Sequence, residues 1–192
     1  PVCVELQSRQ YEFATDSNSP LTLDVVNAEK IIEGNEQEGF TLCFKAVFEQ
    51  VSESHTLFEI ADMLCVELKT ASLEHNSPQN YKPYPLADGS VQVLEATLAL
   101  QSPFSADEVN HLCVGVPLSM LDEPFSTHDI VLHFTGVEFT LFVDGKLYDN
   151  DFAIGYPSYK GSKKWHKSEV VSDVKFFTPA LNKKQIGEPT QQ

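Results

Sequence analysis

The most chemically suggestive segment of the sequence is Asp149–His166, which reads DNDFAIGYPSYKGSKKWH. It contains the single tryptophan of the chain together with two tyrosines, an Asp-Asn-Asp run and three lysines. Aromatic faces stack on the apolar C–H faces of sugar rings, and neighbouring polar groups hydrogen-bond the hydroxyls. We therefore predict that this segment is a carbohydrate-binding loop. The predicted contact residues are Trp165, Tyr156, Tyr159, Asp151 and His166.

The same segment also has structural explanations. Trp165 could cover the edge of a hydrophobic core while the lysines keep a long loop in water. The Asp149-Asn150-Asp151 run offers the oxygen ligands that Ca²⁺ prefers, which makes Asp149 and Asp151 candidate metal ligands. A simple turn accounts for the run equally well, since no further spaced acidic residues follow it. We predict no required cofactor and keep calcium as an alternative.

Glycoside hydrolysis needs two carboxylates, about 5–5.5 Å apart for retention and farther apart for inversion. Alternate residues of a strand share one face of a sheet, so a catalytic pair on one strand has an even spacing. The nearest candidates, Glu59 and Asp62, are three residues apart and would face opposite sides of a strand. G-x-S-x-G and H-E-x-x-H motifs are also missing from the sequence. We predict that the chain is not an enzyme.

The elements that must position these residues are predicted to be β-strands. Apolar residues alternate with polar ones, or form short Val- and Leu-rich runs, at 40–48, 91–100, 111–116, 130–134, 139–143 and 169–177. Turn residues cluster at 16–20, 33–35, 87–89, 136 and 144–145. Helix is predicted only as one or two turns near 182–186 and near 106–109. Many short strands with regular turns indicate packed antiparallel sheets.

The charge of the chain excludes several classes of partner. The formal net charge is −15, and Arg9 is the single arginine. A nucleic-acid backbone or an anionic membrane surface attracts clustered Lys and Arg, so neither is an expected partner. No apolar run reaches the roughly 18 residues that a membrane-spanning helix needs, so membrane insertion is not expected. Neutral sugars, cationic ligands and other proteins remain.

The four cysteines are far apart in the sequence and form no C-x-x-C pair. Cys43, Cys65 and Cys113 are each flanked by apolar residues, and we predict that they are buried free thiols in strands. One or two disulfides, which could include Cys3, remain an alternative. Zinc is not expected without a paired spacing.

Two segments carry a resemblance to a known family. The first, His128–Leu147, reads HDIVLHFTGVEFTLFVDGKL, and we predict three strands in it, at 129–135, 137–143 and 146–148. Asp144-Gly145 suits a two-residue hairpin turn, since both central positions need positive φ. This segment resembles the stretch of laminin-G-like domains in which a "WHHV" strand leads into "LYVDGKL", although Thr127 and Asp129 depart from that pattern. The second, Asp173–Ile186, is similar to the closing strand and short helix of that family.

The resemblance implies an all-β fold, an antiparallel β-sandwich of the concanavalin A-like jelly-roll type. It also implies a non-catalytic carbohydrate-binding or accessory module of a larger secreted bacterial protein that degrades polysaccharides. The expected partners are a neutral glycan or an adjacent catalytic domain. A structural docking module that binds no sugar is the alternative, and a glycoside hydrolase is the third hypothesis.

We predict that residues 1–192 form one domain, with a polar tail or linker at 187–192. Since the chain begins at Pro1 rather than Met, we expect that a preceding segment was removed. The expected location is secreted, periplasmic or on the cell surface.

Overall fold

The computed structural model describes residues 9–12, 21–22, 39–49, 54–72, 90–102, 104–105, 107–154, 159, 164–178, 180–182 and 186. Within these residues, twelve strands form two six-stranded sheets in which every paired neighbour is antiparallel. The predicted fold class, an all-β antiparallel sandwich, is confirmed. In the described part of the chain, no helix is long and apolar enough to cross a membrane.

The strands are numbered in chain order. Sheet A contains, in spatial order, β1 (Arg9–Glu12), β12 (Val171–Thr178), β3 (Phe40–Val47), β8 (Thr127–Phe134), β9 (Glu138–Val143) and β10 (Lys146–Phe152). Sheet B contains β2 (Leu21–Thr22), β11 (Lys164–Lys167), β4 (His55–Ile60), β5 (Leu64–Ser72), β6 (Ser90–Gln101) and β7 (Val109–Pro117). A short 3₁₀ helix, Leu118–Met120, follows β7.

The core lies between the two sheets and follows the period of two that the sequence shows. Along β6, Leu94, Ala96 and Leu98 are buried, while the residues between them are half-buried on the outer face. Rings from opposite sheets meet in the middle, as Phe44 of β3 stacks on Phe58 of β4 at 6.0 Å between centroids. Burying one such side chain stabilises the fold by about 1.5–3 kcal/mol.

The β8–β9–β10 meander is the segment that carries the family resemblance. Its Asp144-Gly145 turn has φ values of 52° and 79°, as the predicted two-residue turn requires. His128, which is 2% exposed, lies with Nδ1 2.6 Å from Asp144 Oδ2 and Nε2 3.1 Å from the Glu123 carbonyl. Its ring also stacks on Phe48. His128 therefore fastens the start of β8 to the turn. The third strand of the meander runs to Phe152, four residues beyond the predicted end.

The C-terminal segment covers the outer face of sheet A. Leu181 and Ile186 pack with Cys43, Val131 and Phe177 in a second cluster of buried apolar residues. The backbone of Leu181 is held from both sides: its N–H donates to Thr41 Oγ1 at 2.9 Å, and its carbonyl lies 2.6 Å from His133 Nε2.

The short helix predicted at 182–186 agrees with one bond of helical spacing, since the N–H of Ile186 donates to the Asn182 carbonyl at 3.0 Å. Residues 183–185 lie outside the described part of the chain, as do the turns predicted at 16–20, 33–35 and 87–89. The helix predicted near 106–109 is wrong at Val109, which begins β7.

The prediction of buried cysteines holds for one of three. Cys43 is buried, and loss of solvation raises the pKa of its thiol to about 12. Cys65 is half-buried and Cys113 is exposed, because the residues on either side of each point into the core instead. Partial loss of solvation still raises the pKa of the exposed Cys113 thiol to about 11, with nearby Glu95 adding to the effect. All three are free thiols, and Cys3 lies outside the described residues.

Candidate ligand-binding groove

The two sheets meet along a seam between β7, the edge strand of sheet B, and β10, the edge strand of sheet A. Two carboxylates of β10 reach across it to the backbone of β7. Asp149 Oδ2 accepts the N–H of Gly115 at 2.9 Å, and Asp151 Oδ2 accepts the N–H of Cys113 at 3.0 Å. These bonds satisfy edge N–H groups that would otherwise be open to pairing with another strand.

The backbone geometry explains why these carboxylates can reach β7. In the register of β9 and β10, Asp149 lies opposite Leu141 and Asp151 lies opposite Phe139, both of which face the core. The two aspartates therefore point inward, but at the sheet edge, where the opposite sheet supplies N–H groups. Each second carboxylate oxygen accepts the N–H of the following residue at 2.9 Å.

Beyond Asp151 the seam opens into a groove with a volume of about 390 Å³, within the range of small-ligand sites. The groove is lined by Leu100, Ser102, Phe104, Glu108, Asn110, His111, Leu112, Asp151, Phe152, Ala153 and Ile154. These residues come from the end of β6, the β6–β7 loop, the start of β7 and the chain leaving β10.

The rims of the groove are apolar and exposed, whereas its floor is part of the core. Phe104 on one rim is 78% exposed, and Phe152 and Ile154 on the other are 57% and 80% exposed. The floor residues Leu100 and Leu112 are buried. Exposed apolar side chains around a cavity are costly in water, which makes this groove a candidate binding surface.

Both walls are held by hydrogen bonds that backbone N–H groups donate. In the β6–β7 loop, the N–H of Ser102 donates to the Glu108 carbonyl at 2.9 Å, and the N–H of Phe104 donates to Ser102 Oγ at 3.1 Å. On the other wall, the N–H of Ala153 donates to the Val137 carbonyl at 2.7 Å. The groove is therefore preformed by the sandwich.

One predicted contact residue, Asp151, lines this groove. Tyr159 does not, and its predicted role in sugar binding has to be corrected. Its side chain is 3% exposed, its hydroxyl donates to the Gly39 carbonyl at 3.1 Å, and its ring meets the edge of Phe40 at 5.4 Å. Tyr159 is a core residue, since a ring so buried has no face for a sugar.

The other predicted contacts are not brought to the groove. Trp165 and His166 lie in β11, where the Trp165 backbone pairs with Ile60 and Leu21 and the His166 side chain is exposed. In sheet B, β11 is four strands from β7, or roughly 19 Å at the usual strand spacing. Tyr156 lies outside the described residues, as does the placement of the Trp165 side chain.

The predicted loop Asp149–His166 is therefore not one loop. It includes the end of β10 in sheet A, the core residue Tyr159, and β11 in sheet B. A change of sheet within 18 residues separates the polar residues at its start from the aromatic residue at its end.

The calcium prediction at Asp149 and Asp151 concerns carboxylates that already accept backbone N–H groups. Among the residues that the structure describes, no group of three or more His, Cys, Asp or Glu side chains is arranged to hold a metal ion. Closure of the seam explains the geometry of the two aspartates, and calcium binding by them stays a prediction.

Glu59 and Asp62, the nearest pair of carboxylates in the sequence, do not share a strand. In the structure Glu59 belongs to β4, while Asp62 lies in the β4–β5 turn with a φ of 62°. Their odd spacing therefore has no bearing on catalysis.

One pair of carboxylates spans two strands, so the spacing of residues along one strand does not reveal it. Glu67 of β5 lies directly opposite Glu95 of β6 on the outer face of sheet B. Each carboxylate has a partner of its own. Lys69 Nζ donates to Glu95 Oε1 at 2.8 Å, and the Cys65 thiol donates to Glu67 Oε1 at 3.1 Å. Neither glutamate lines the groove.

The rim residues were missed although the sequence carries a weak signal for them. Phe152 and Ile154 belong to the segment Asp149–His166, which the sequence predicts as a binding loop, and Phe104 stands in the polar run Ser-Pro-Phe-Ser. Isolated apolar residues in polar surroundings are common at surfaces, so this signal becomes meaningful only when the fold brings three of them together.

Comparisons with known proteins place the fold but no family. No protein-family model matches the chain, and no curated protein sequence is significantly similar to it. Solved structures do match. The receptor-binding domain of a mosaic serotype C/D botulinum neurotoxin, solved with tetraethylene glycol bound on its Hcn sub-domain, is 9% identical, with a TM-score of 0.61 over 95% of this chain and 41% of that one.

Two further neurotoxin structures show the same relationship. The binding domain of botulinum neurotoxin serotype G is 10% identical, with a TM-score of 0.60 over 95% of this chain and 42% of that one. A structure of the type C neurotoxin is 11% identical, with a TM-score of 0.52 over 95% of this chain and 42% of that one. Cell entry of that toxin is described as dependent on interaction with two ganglioside molecules. The chain spans less than half of each of these domains, and at such identities the likeness shows the fold alone.

Proposed function

We propose that this chain is a non-catalytic binding module that holds a neutral glycan in the groove at the open end of the β7–β10 seam. The observation that carries the proposal is the composition of the groove. Exposed phenylalanines stand on both rims, and polar side chains lie between them over an apolar floor. This is the arrangement that sugar binding needs, since rings stack on C–H faces while polar groups reach the hydroxyls.

Charge narrows the ligand class. Glu108 and Asp151 line the groove, and the whole chain carries a formal charge of −15. A sulfated sugar or a uronate would be repelled by this field, whereas a neutral sugar is indifferent to it. His111 and Asn110 add groups that can hydrogen-bond neutral hydroxyls.

The structural neighbours lend this proposal general support. They are receptor-binding domains, and the type C neurotoxin is described as interacting with gangliosides, which are glycolipids. The support extends only to glycan binding in general, because gangliosides carry anionic sialic acid whereas the ligand proposed here is neutral. In addition, this chain corresponds to 42% of that chain, and the ganglioside site is not assigned to the shared part.

The wider setting is also a proposal. The resemblance of His128–Leu147 and Asp173–Ile186 to laminin-G-like modules supports an accessory role in a larger secreted or cell-surface bacterial protein that degrades polysaccharides. In that role the module would hold the polysaccharide near an adjacent catalytic domain. No catalytic step is assigned to this chain.

A docking function for a protein partner is the second candidate, and one observation favours it. Ile154 is aliphatic and 80% exposed, and aliphatic side chains are more typical of protein interfaces than of sugar platforms. The two candidates differ in what Ile154→Ala does: it should weaken a protein partner strongly and a sugar only slightly.

The test is a calorimetric titration of the purified chain with a panel of neutral oligosaccharides, with calcium and with a chelator. Phe152→Ala should weaken binding about tenfold, because an aromatic contact contributes about 1–1.5 kcal/mol. The matched control is Phe125→Ala, since Phe125 is also exposed but does not line the groove. The absence of binding to every neutral glycan, or equal losses in the two variants, would contradict the proposal. Binding that disappears with the chelator would establish calcium as a cofactor.

A further inference from the structure

Every second residue of β7 directs its backbone N–H and C=O groups away from β6. The N–H groups of Cys113 and Gly115 donate to Asp151 and Asp149, so they point away from β6. In an antiparallel pair, N–H and C=O groups alternate between the partner strand and the opposite side with a period of two. The N–H and C=O of His111 therefore also point away from β6, toward the β10 side.

Pro117 supports this assignment. It lies in β7, opposite Val93 of β6, in the same phase as Gly115, Cys113 and His111. Proline has no N–H, so within a sheet it is tolerated at edge positions whose N–H would face away from the neighbouring strand. The sequence itself thus marks this phase of β7 as the outward one.

The outward backbone of β7 forms part of the groove wall. Three consecutive residues, Asn110, His111 and Leu112, line the cavity. Their side chains alternate between the two faces of sheet B, so all three reach one cavity because the strand presents its edge to it. Among the described residues, no group accepts a hydrogen bond from the outward N–H of His111.

The open edge is too short for a strand. Asp151 occupies the next outward N–H, that of Cys113, and β7 begins only two residues before His111, at Val109. A partner strand needs several consecutive backbone pairs, whereas this stretch offers one or two. A single planar amide fits the available length.

We propose that the groove selects N-acetylated hexosamines by binding their acetamido group at the edge of β7, a refinement that rests on the glycan-binding function proposed above. The C=O and N–H of a trans amide point in opposite directions. The acetamido carbonyl accepts the N–H of His111, and the acetamido N–H faces the β10 wall, where the carboxylate of Asp151 is the acceptor. The methyl group packs on the apolar floor formed by Leu100 and Leu112.

The ligand series that tests this selection varies one substituent. Three β-1,4-linked tetramers carry an acetamido group, an ammonium group or a hydroxyl at C2: those of N-acetylglucosamine, glucosamine and glucose. Calorimetric titration should show the acetylated tetramer binding at least about tenfold more tightly than the other two, because each lacks the amide that pairs with the strand edge. The ammonium form controls for simple attraction to the acidic groove.

The variant that tests the same contact is His111→Pro, which removes the N–H but leaves the β6–β7 ladder intact. His111→Ala is the matched control, since it removes the side chain and keeps the N–H. The proline variant should lose the preference for the acetylated tetramer, and the alanine variant should keep it. Should His111→Pro prove unfolded by circular dichroism, the ligand series on the unaltered chain decides the question alone.

Equal affinities for the acetylated and glucose tetramers would overturn the acetamido assignment while leaving glycan binding intact. Preference for the glucosamine tetramer would overturn it in favour of charge attraction. No binding of any tetramer, when other neutral glycans of the wider panel do bind, would also overturn it; no binding of any glycan would refute the proposed function itself.

Discussion

Two stretches of the seam between β7 and β10 differ in what lies opposite the outward N–H groups of β7. From Cys113 to Gly115, the outward N–H groups of β7 are taken by Asp151 and Asp149 of β10. At His111 the same edge faces a groove of about 390 Å³. Both stretches belong to the same pair of strands, so the difference is whether a carboxylate stands opposite the strand edge.

The two stretches protect the edge of β7 in different ways. An unpaired strand edge invites association with other chains, and inward-pointing charged residues near an edge are one way to prevent it. Here the closed stretch uses carboxylates for this purpose. The open stretch is left one or two residues long, which limits strand pairing but leaves room for a small polar group.

The largest effect is expected at the closed stretch. Asp149→Ala removes the acceptor that Gly115 has at 2.9 Å, in a place where Gly115 is buried. Hydrogen bonds to charged groups contribute about 1.5–3 kcal/mol, so we expect the free energy of unfolding to fall by about 2 kcal/mol. Urea denaturation measures this, and Asp149→Asn, which keeps an oxygen acceptor, should lose less. A loss below about 0.5 kcal/mol for the alanine variant would mean that Asp149 does not close the seam.

A smaller effect is expected where the closed stretch meets the open one. Asp151→Ala frees the N–H of Cys113, but Cys113 is exposed and water can replace the carboxylate. We expect the free energy of unfolding to fall by about 1 kcal/mol, measured in the same urea titration. A larger loss for Asp151→Ala than for Asp149→Ala would mean that the open end of the seam is the better sealed one.

Much of the fold could be predicted from the sequence because the core obeys a simple period. The alternation in Phe40–Val47 and the Asp144-Gly145 turn are local signals, and both correspond to what the structure shows. The end of β10 was missed because Asp149 and Asp151 are polar residues on an inward face. Such residues break the alternation, and only a sheet edge makes them acceptable.

The predictions that Cys65 and Cys113 are buried are wrong for a related reason. Leu64 and Val66 flank Cys65, and this apolar setting suggested burial. In a strand, however, two flanking core residues place the residue between them on the opposite face. The outer face of sheet A is covered by the C-terminal segment, so Cys43 is buried there, whereas Cys113 on the outer face of sheet B is exposed.

The candidate site lay beyond local reasoning because it depends on which strands become edges. Phe104 and Phe152 are 48 positions apart, and they lie at the borders of different sheets. Nothing in the sequence around either residue indicates that β7 and β10 meet. Tyr159 shows the converse error. Its polar surroundings in the sequence suggested a loop, but a long-range contact with Phe40 holds it in the core.

The most direct test of the open stretch as a ligand site follows backbone amides by NMR during titration with the N-acetylglucosamine tetramer. The amide of His111 should shift strongly, together with those of Phe152 and Ile154, while Gly115, whose N–H is held by Asp149, stays in place. Shifts confined to β11 around His166, with His111 unchanged, would contradict the account and return the ligand to the segment that the sequence first suggested.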